Sequence, residues 1–139
     1  MTSALNLQQV IESIRADIDD DPLFDICVKV LVYVVNYPAG KLSYITYGSL
    51  RKIVGITYSD EQLLLSIQYL CGDRADILNP KFELIDDNSE THIIPNDEVS
   101  LAHNTGILIH PETGEPIDNY DGKLVIFFEP SSFSRGITS

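Results

Sequence analysis

Positive charge is scarce in this sequence. Its 139 residues carry 9 Lys and Arg against 21 Asp and Glu, a formal net charge of -12, and so anionic a chain does not adhere as a whole to nucleic acid or anionic lipid. Cysteine is scarcer still: Cys27 and Cys71 both sit inside apolar runs rather than in paired spacing, and they are expected as buried free thiols in a reducing compartment. Long hydrophobic runs are missing too. The longest, Ile26 to Val35, is interrupted by Lys29 and is about half of the roughly 20 residues a membrane-spanning helix needs, so no membrane association is expected. Met1-Thr2-Ser3-Ala4-Leu5 shows no basic run leading into an apolar core and a small-residue cleavage site, and the expected location is cytoplasmic.

Catalytic signatures are equally absent. There is no Gly-x-Ser-x-Gly elbow, no phosphate-binding loop with its Lys and no dinucleotide fingerprint, while Gly106, Gly114 and Gly122 fall in polar turns, where left-handed backbone angles are expected to explain them. His92, His103 and His110 have no metal-ligand spacing with one another or with the cysteines. No catalytic residue, cofactor or metal is therefore expected.

What is present is a hydrophobic fraction of 44%, enough for the core of one domain over residues 1–130. Leu7, Val10, Ile11, Ile14 and Ile18 recur at three- and four-residue spacing opposite Gln8, Gln9, Glu12 and Arg15, the pattern of an amphipathic helix within residues 1–20. Its apolar stripe must be covered by the core or by a second copy, so a homodimer through residues 5–18 is one expectation. A helical core is expected over 22–72. Asp21 as the cap and Pro22 at the first helical position open a helix that from Leu23 to Tyr37 is apolar on nearly every side, hence central, with a strand as the alternative its β-branched content allows. Tyr47 to Val54 reads as a short helix ended by Gly55, and Ser59 with Gln62 makes a capping box for a helix running to about Cys71. From 77 to 129 the period changes to two: Phe82 to Ile85 and Thr91 to Ile94 read as a hairpin, Asn96 as the cap of an extra short helix closed by Gly106, and Ile107 to Ile109 with Leu124 to Phe128 as two further strands of the sheet. Residues 131–139, rich in Ser, are expected as a flexible tail unless Phe133 or Ile137 docks.

Leu50-Arg51-Lys52-Ile53-Val54-Gly55 followed by Leu63, Leu64, Leu65, Ile67 and Leu70 resembles the helix-turn-helix core of the winged-helix superfamily, over roughly residues 22 to 95. The resemblance implies an α+β fold with a winged-helix-like three-helix core, preceded here by the N-terminal helix and followed by a small antiparallel sheet carrying the extra helix. Most members of the superfamily read DNA with the last core helix. Here that helix would begin with Asp60 and Glu61, with no Lys or Arg before Arg74, so duplex DNA is disfavoured.

Charge is also uneven. Between Ile26 and Tyr58 there is no acid, while Lys29, Lys41, Arg51 and Lys52 are basic; from Ser59 onward 15 acids face four bases. Two surfaces are therefore candidates. His110, Glu112, Glu115, Tyr120 and Asp121 lie in or beside a Pro- and Gly-rich loop, the kind of segment that recognises a partner, and its carboxylates suit a basic one. The alternative is a basic, aromatic surface of Lys41, Tyr44, Tyr47, Arg51, Lys52 and Tyr58. The leading expectation is a non-enzymatic protein-interaction or regulatory module, of the kind that serves as the small subunit of a multi-protein system. The others are a nucleic-acid-binding transcriptional regulator, an acidic inhibitor or immunity-type protein neutralising a basic partner, and a hydrolase or transferase built around the His110 loop.

Overall fold

The structure, a computed structural model, describes residues 5–37 and 44–138. It is α+β, with six helices and a small antiparallel sheet among the described residues. Where the sequence reads as one domain, the chain divides into two compact units: Met1–Asn79 with Phe128–Ser139, and the inserted Pro80–Phe127.

The first unit is helical. α1 (Leu7–Asp17) opens on a reciprocal Asn6/Gln9 capping box and turns Val10 and Ile14 inward. α2 (Asp21–Val35) buries Ile26, Cys27, Val30, Leu31 and Val34, as a helix apolar on nearly every side must. Its cap is Asp20, which accepts from the Leu23 N–H, rather than Asp21; Asp21 instead pairs with Arg15 at 2.6 Å. α3 (Tyr47–Val54) ends at Gly55, whose φ of +87° a side chain would strain, although ψ is extended rather than left-handed helical. α4 (Asp60–Cys71) carries the expected Ser59/Gln62 box. Leu50, Leu63 and Leu70 are fully buried with the α2 residues, and each such side chain contributes about 1.5–3 kcal/mol of transfer free energy.

The expected flexible tail is instead packed. α6 (Ser132–Arg135) is capped by Ser131, Ile137 joins the core, and Thr138 exchanges backbone hydrogen bonds with Leu5 and Leu7 at 3.1 and 2.8 Å. Of the two residues whose docking would order it, Ile137 is buried and Phe133 is exposed. The α1 stripe likewise finds its cover within the chain, because Val10 and Ile14 are buried and Leu7, Ile11 and Ile18 pack against the same core. A homodimer through residues 5–18 therefore loses its physical basis.

β1 (Leu78–Ile85) pairs antiparallel with β2 (Thr91–Ile94) in the register Phe82↔Ile94 to Ile85↔Thr91. On its other side runs β5 (Leu124–Pro130); the bonds Ile85 N to Lys123 O and Ser131 N to Ile77 O make that pair antiparallel as well. α5 (Asn96–Thr105) lies between, closed by Gly106 at φ +79° and ψ 4°. Asn96 does not cap it, because its amide donates to the Pro80 carbonyl instead. Nor does the Ile107 region join the sheet: β3 (Leu108–Ile109) pairs with β4 (Pro116–Ile117) in a separate two-stranded hairpin. Strand formation at Pro116 shortens the Pro- and Gly-rich loop, so only His110 to Glu115 bridges the hairpin. Among the described residues no helix is long and apolar enough to cross a membrane.

Candidate functional site

The inserted unit has a core of six buried residues, Leu84, Ile94, Val99, Ala102, Leu108 and Tyr120. The two-residue period of the β1–β2 hairpin places His92 opposite Leu84, on the covered face, and only 9% of its side chain is exposed. Asp86 begins the turn. Its Oδ1 accepts the backbone N–H groups of Asn88 and Glu90, both at 2.9 Å, the local bond that makes Asp a turn residue. Its Oδ2 meets His92 Nε2 at 2.9 Å and His110 Nε2 at 3.2 Å. One carboxylate thus takes four donors and ties the β1–β2 turn to the start of the β3–β4 loop.

The loop is built on His110 as well. Its Nδ1 accepts the N–H groups of Glu112 and Thr113 at 3.1 and 3.2 Å, and its backbone N–H donates to Glu115 O at 2.9 Å. With Nδ1 an acceptor, the network assigns the ring proton to Nε2, facing Asp86. His92 donates to Asp86 through Nε2 and has Nδ1 3.7 Å from Glu112 Oε1. The hydrogen bond to Asp86, aided by the charges of Glu112, Asp86 and Glu90, raises the His92 pKa above the ordinary histidine value against the opposing effect of desolvation. The same bond, then those from His110, Glu90 and Asn88, holds Asp86 well below the usual carboxylate range.

Asp86, His92 and His110 each offer a ligand atom, all within 4.8 Å of one another, and such a mixture suits a divalent transition metal. Their hydrogen bonding opposes that use. His110 can present a bare Nε2 only by moving its proton to Nδ1, where two backbone N–H groups already point. The donors fit a hydrogen-bonded hub that orients a loop.

Next to the loop lies an apolar groove. Alternation in β3 sends Leu108 into the core and leaves Ile107 and Ile109 52% and 47% exposed; Val99 and Ala102 likewise take the inner face of α5 and leave Leu101 60% exposed. Leu101, Ile107, Leu108 and Ile109, with Glu98, His110, Pro111 and Gly114, line a cavity of about 380 Å³.

The structure redistributes the residues singled out in the sequence. Glu112, Glu115 and Asp121 are exposed. Tyr120 is buried in the core of the inserted unit and donates its hydroxyl to Ala102 O at 3.0 Å, because the chain returns inward once β4 closes the hairpin. It is not a contact residue. His110, 12% exposed, is an internal tie. Asp86 and His92 were not among the expected site residues; the hairpin pattern carried the signal for their proximity, since six residues joined by a turn bring them together.

The alternative surface is largely self-neutralised. Arg51 pairs with Asp60 and donates to Gly55 O and Tyr58 O at 3.0 and 2.7 Å, and the Tyr47 hydroxyl also donates to Asp60 at 2.7 Å. Those two bonds, Tyr47's the larger influence, hold Asp60 below its ordinary pKa. Tyr58 donates to Asp25. Lys52 and Tyr44 are exposed, and Lys41 lies outside the described residues. Cys27 and Cys71 are free thiols, pushed up to about 11 by burial, although Cys71 is only partly covered. Comparison with protein-family models, with curated proteins and with solved structures finds no match for this chain.

Proposed function

We propose that the chain is a non-enzymatic interaction or regulatory module, built on a winged-helix-like core, whose partner is a protein and not duplex DNA. The order α2, α3, α4, β1 supports the architecture, and so does the antiparallel bridge of Ile45 to Phe128 in β5, with β5 lying beside β1. β2, α5 and the β3–β4 hairpin are then an insertion between the two strands of a wing.

The observation that carries the choice of partner is the start of α4. A DNA-reading helix presents its first turns to phosphates and base edges, and here that turn holds Asp60 and Glu61, with the adjacent guanidinium of Arg51 already spent on Asp60. Counterion release cannot drive binding at such a face. The direct test is a fluorescence-anisotropy titration with duplex DNA at low salt, for which no saturable binding is expected. Submicromolar binding that Arg51→Ala or Lys52→Ala abolishes would overturn the reading in favour of a nucleic-acid regulator.

A further inference from the structure

We infer that the groove between α5 and the β3–β4 hairpin is the docking site of a cationic amphipathic segment of a partner protein. The inference rests on the interaction-module reading and adds to it a place and a chemistry.

Three facts meet at this groove. Its walls are aliphatic and open: Leu101, Ile107 and Ile109 are each about half exposed or more, in a unit whose own core holds only six buried residues. Large exposed aliphatic side chains that cluster about a concavity mark an interaction site, whereas scattered ones need no explanation. The groove is also firmly built. Tyr120 bonds to Ala102 beneath α5, and the His110 hydrogen bonds and the Asp86 hub fix the loop that forms the other wall. Little ordering cost therefore remains for binding.

Finally, its charge selects the occupant. Residues 80–127 hold ten acids against Lys81 and Lys123, and Glu98 stands on the rim, with Asp97, Glu112 and Glu115 exposed on the same elements. A second copy would bring ten more carboxylates against the first ten, and nucleic acid or an anionic lipid surface would be repelled in the same way. An apolar stripe flanked by Lys and Arg satisfies both walls and rim, as in helix-in-groove recognition.

The probe is a synthetic amphipathic Leu/Lys helical peptide, titrated into the full chain by fluorescence anisotropy. Two controls accompany it: a peptide of equal positive charge in which Ser replaces Leu, and the Leu/Glu counterpart. Saturable binding of the Leu/Lys peptide alone is expected. Leu101→Ser combined with Ile107→Ser should weaken it at least about tenfold, and Glu98→Lys about threefold, with the difference shrinking as salt is added. Because these side chains are exposed, thermal unfolding checks that the variants remain folded; Glu98→Lys, which removes no apolar group, keeps the test decisive should the double variant lose its fold. Equal binding of the Ser-for-Leu peptide, indifference to all these substitutions, or no binding would overturn the docking site. So would self-association in sedimentation that Leu101→Ser abolishes, which would make a second copy the occupant. None of those results bears on duplex DNA, so the broader reading stands or falls separately on its own titration.

Discussion

The two compact units divide the physical work of the molecule unequally. Among the described residues, eighteen buried ones form the helical core, with α2 at its centre, while the inserted unit closes over six. The helical unit holds its acids and bases in pairs such as Arg15–Asp21, Lys29–Asp25, Arg51–Asp60 and Arg74–Asp17. In the inserted unit ten acids face two lysines, and its largest polar device is the carboxylate hub at Asp86. Stability accumulates where apolar surface is buried, and recognition needs surface left open. The contrast teaches that an insertion between two strands of a stable fold can carry an unpartnered groove without endangering the core.

The sharpest way to break the comparison is to cut each unit at an aliphatic side chain. Leu31→Ala in α2 removes a fully buried side chain and should cost about 2–5 kcal/mol in urea denaturation. Leu101→Ala, 60% exposed, should stay within about 0.5 kcal/mol of the parent. Similar losses from the two substitutions would mean that Leu101 is part of a core.

A smaller effect isolates the hub. Asp86→Asn keeps an oxygen for the N–H groups of Asn88 and Glu90 but sets an amide N–H₂ where two imidazoles donate, leaving those protons opposed. The urea midpoint should fall, and hydrogen exchange should rise over residues 84–94 and 108–117 while α2 and α4 keep their protection. The pH dependence follows from the two shifts. His92, raised from 6.5, contributes fully below that value and loses its contribution as pH climbs through the higher folded pKa; Asp86, depressed from 3.8, contributes fully above that value and loses its contribution as pH falls through the lower folded one. The hub is thus strongest between pH 3.8 and 6.5. A histidine proton titration by NMR should place His92 above the ordinary value, and Asp86→Asn should return it there; an unshifted His92 in the parent would dismantle the hub.

Much of the helical unit, and the β1–β2 hairpin of the inserted one, was legible because the signals there are local. The Ser59/Gln62 box lies within one turn, Pro22 marks a helix start, and the hairpin register follows from alternation in Phe82 to Ile85 and Thr91 to Ile94. What escaped depends on partners distant in sequence. Asn96 has the chemistry of a cap but spends its amide on Pro80 O, 16 residues away. Tyr120 has the composition of a contact residue but reaches Ala102 O, 18 residues away, as part of the core. The hub was half visible: the turn joins Asp86 to His92, but nothing local points to His110, 24 residues further on than Asp86. Ile137 stood out as a residue that could dock the Ser-rich tail, but the core it joins is built from residues remote in sequence, so nothing local settles that it docks.

The measurement that tests the central claim most directly is hydrogen exchange by mass spectrometry on the full chain, with and without the Leu/Lys peptide. Protection should be gained over residues 96–117, where α5 and the β3–β4 hairpin flank the groove, and should be unchanged over 47–71, where α3 and α4 would meet DNA in a nucleic-acid reader. Protection gained over 47–71 and absent from 96–117 would contradict the account and place recognition on α3 and α4.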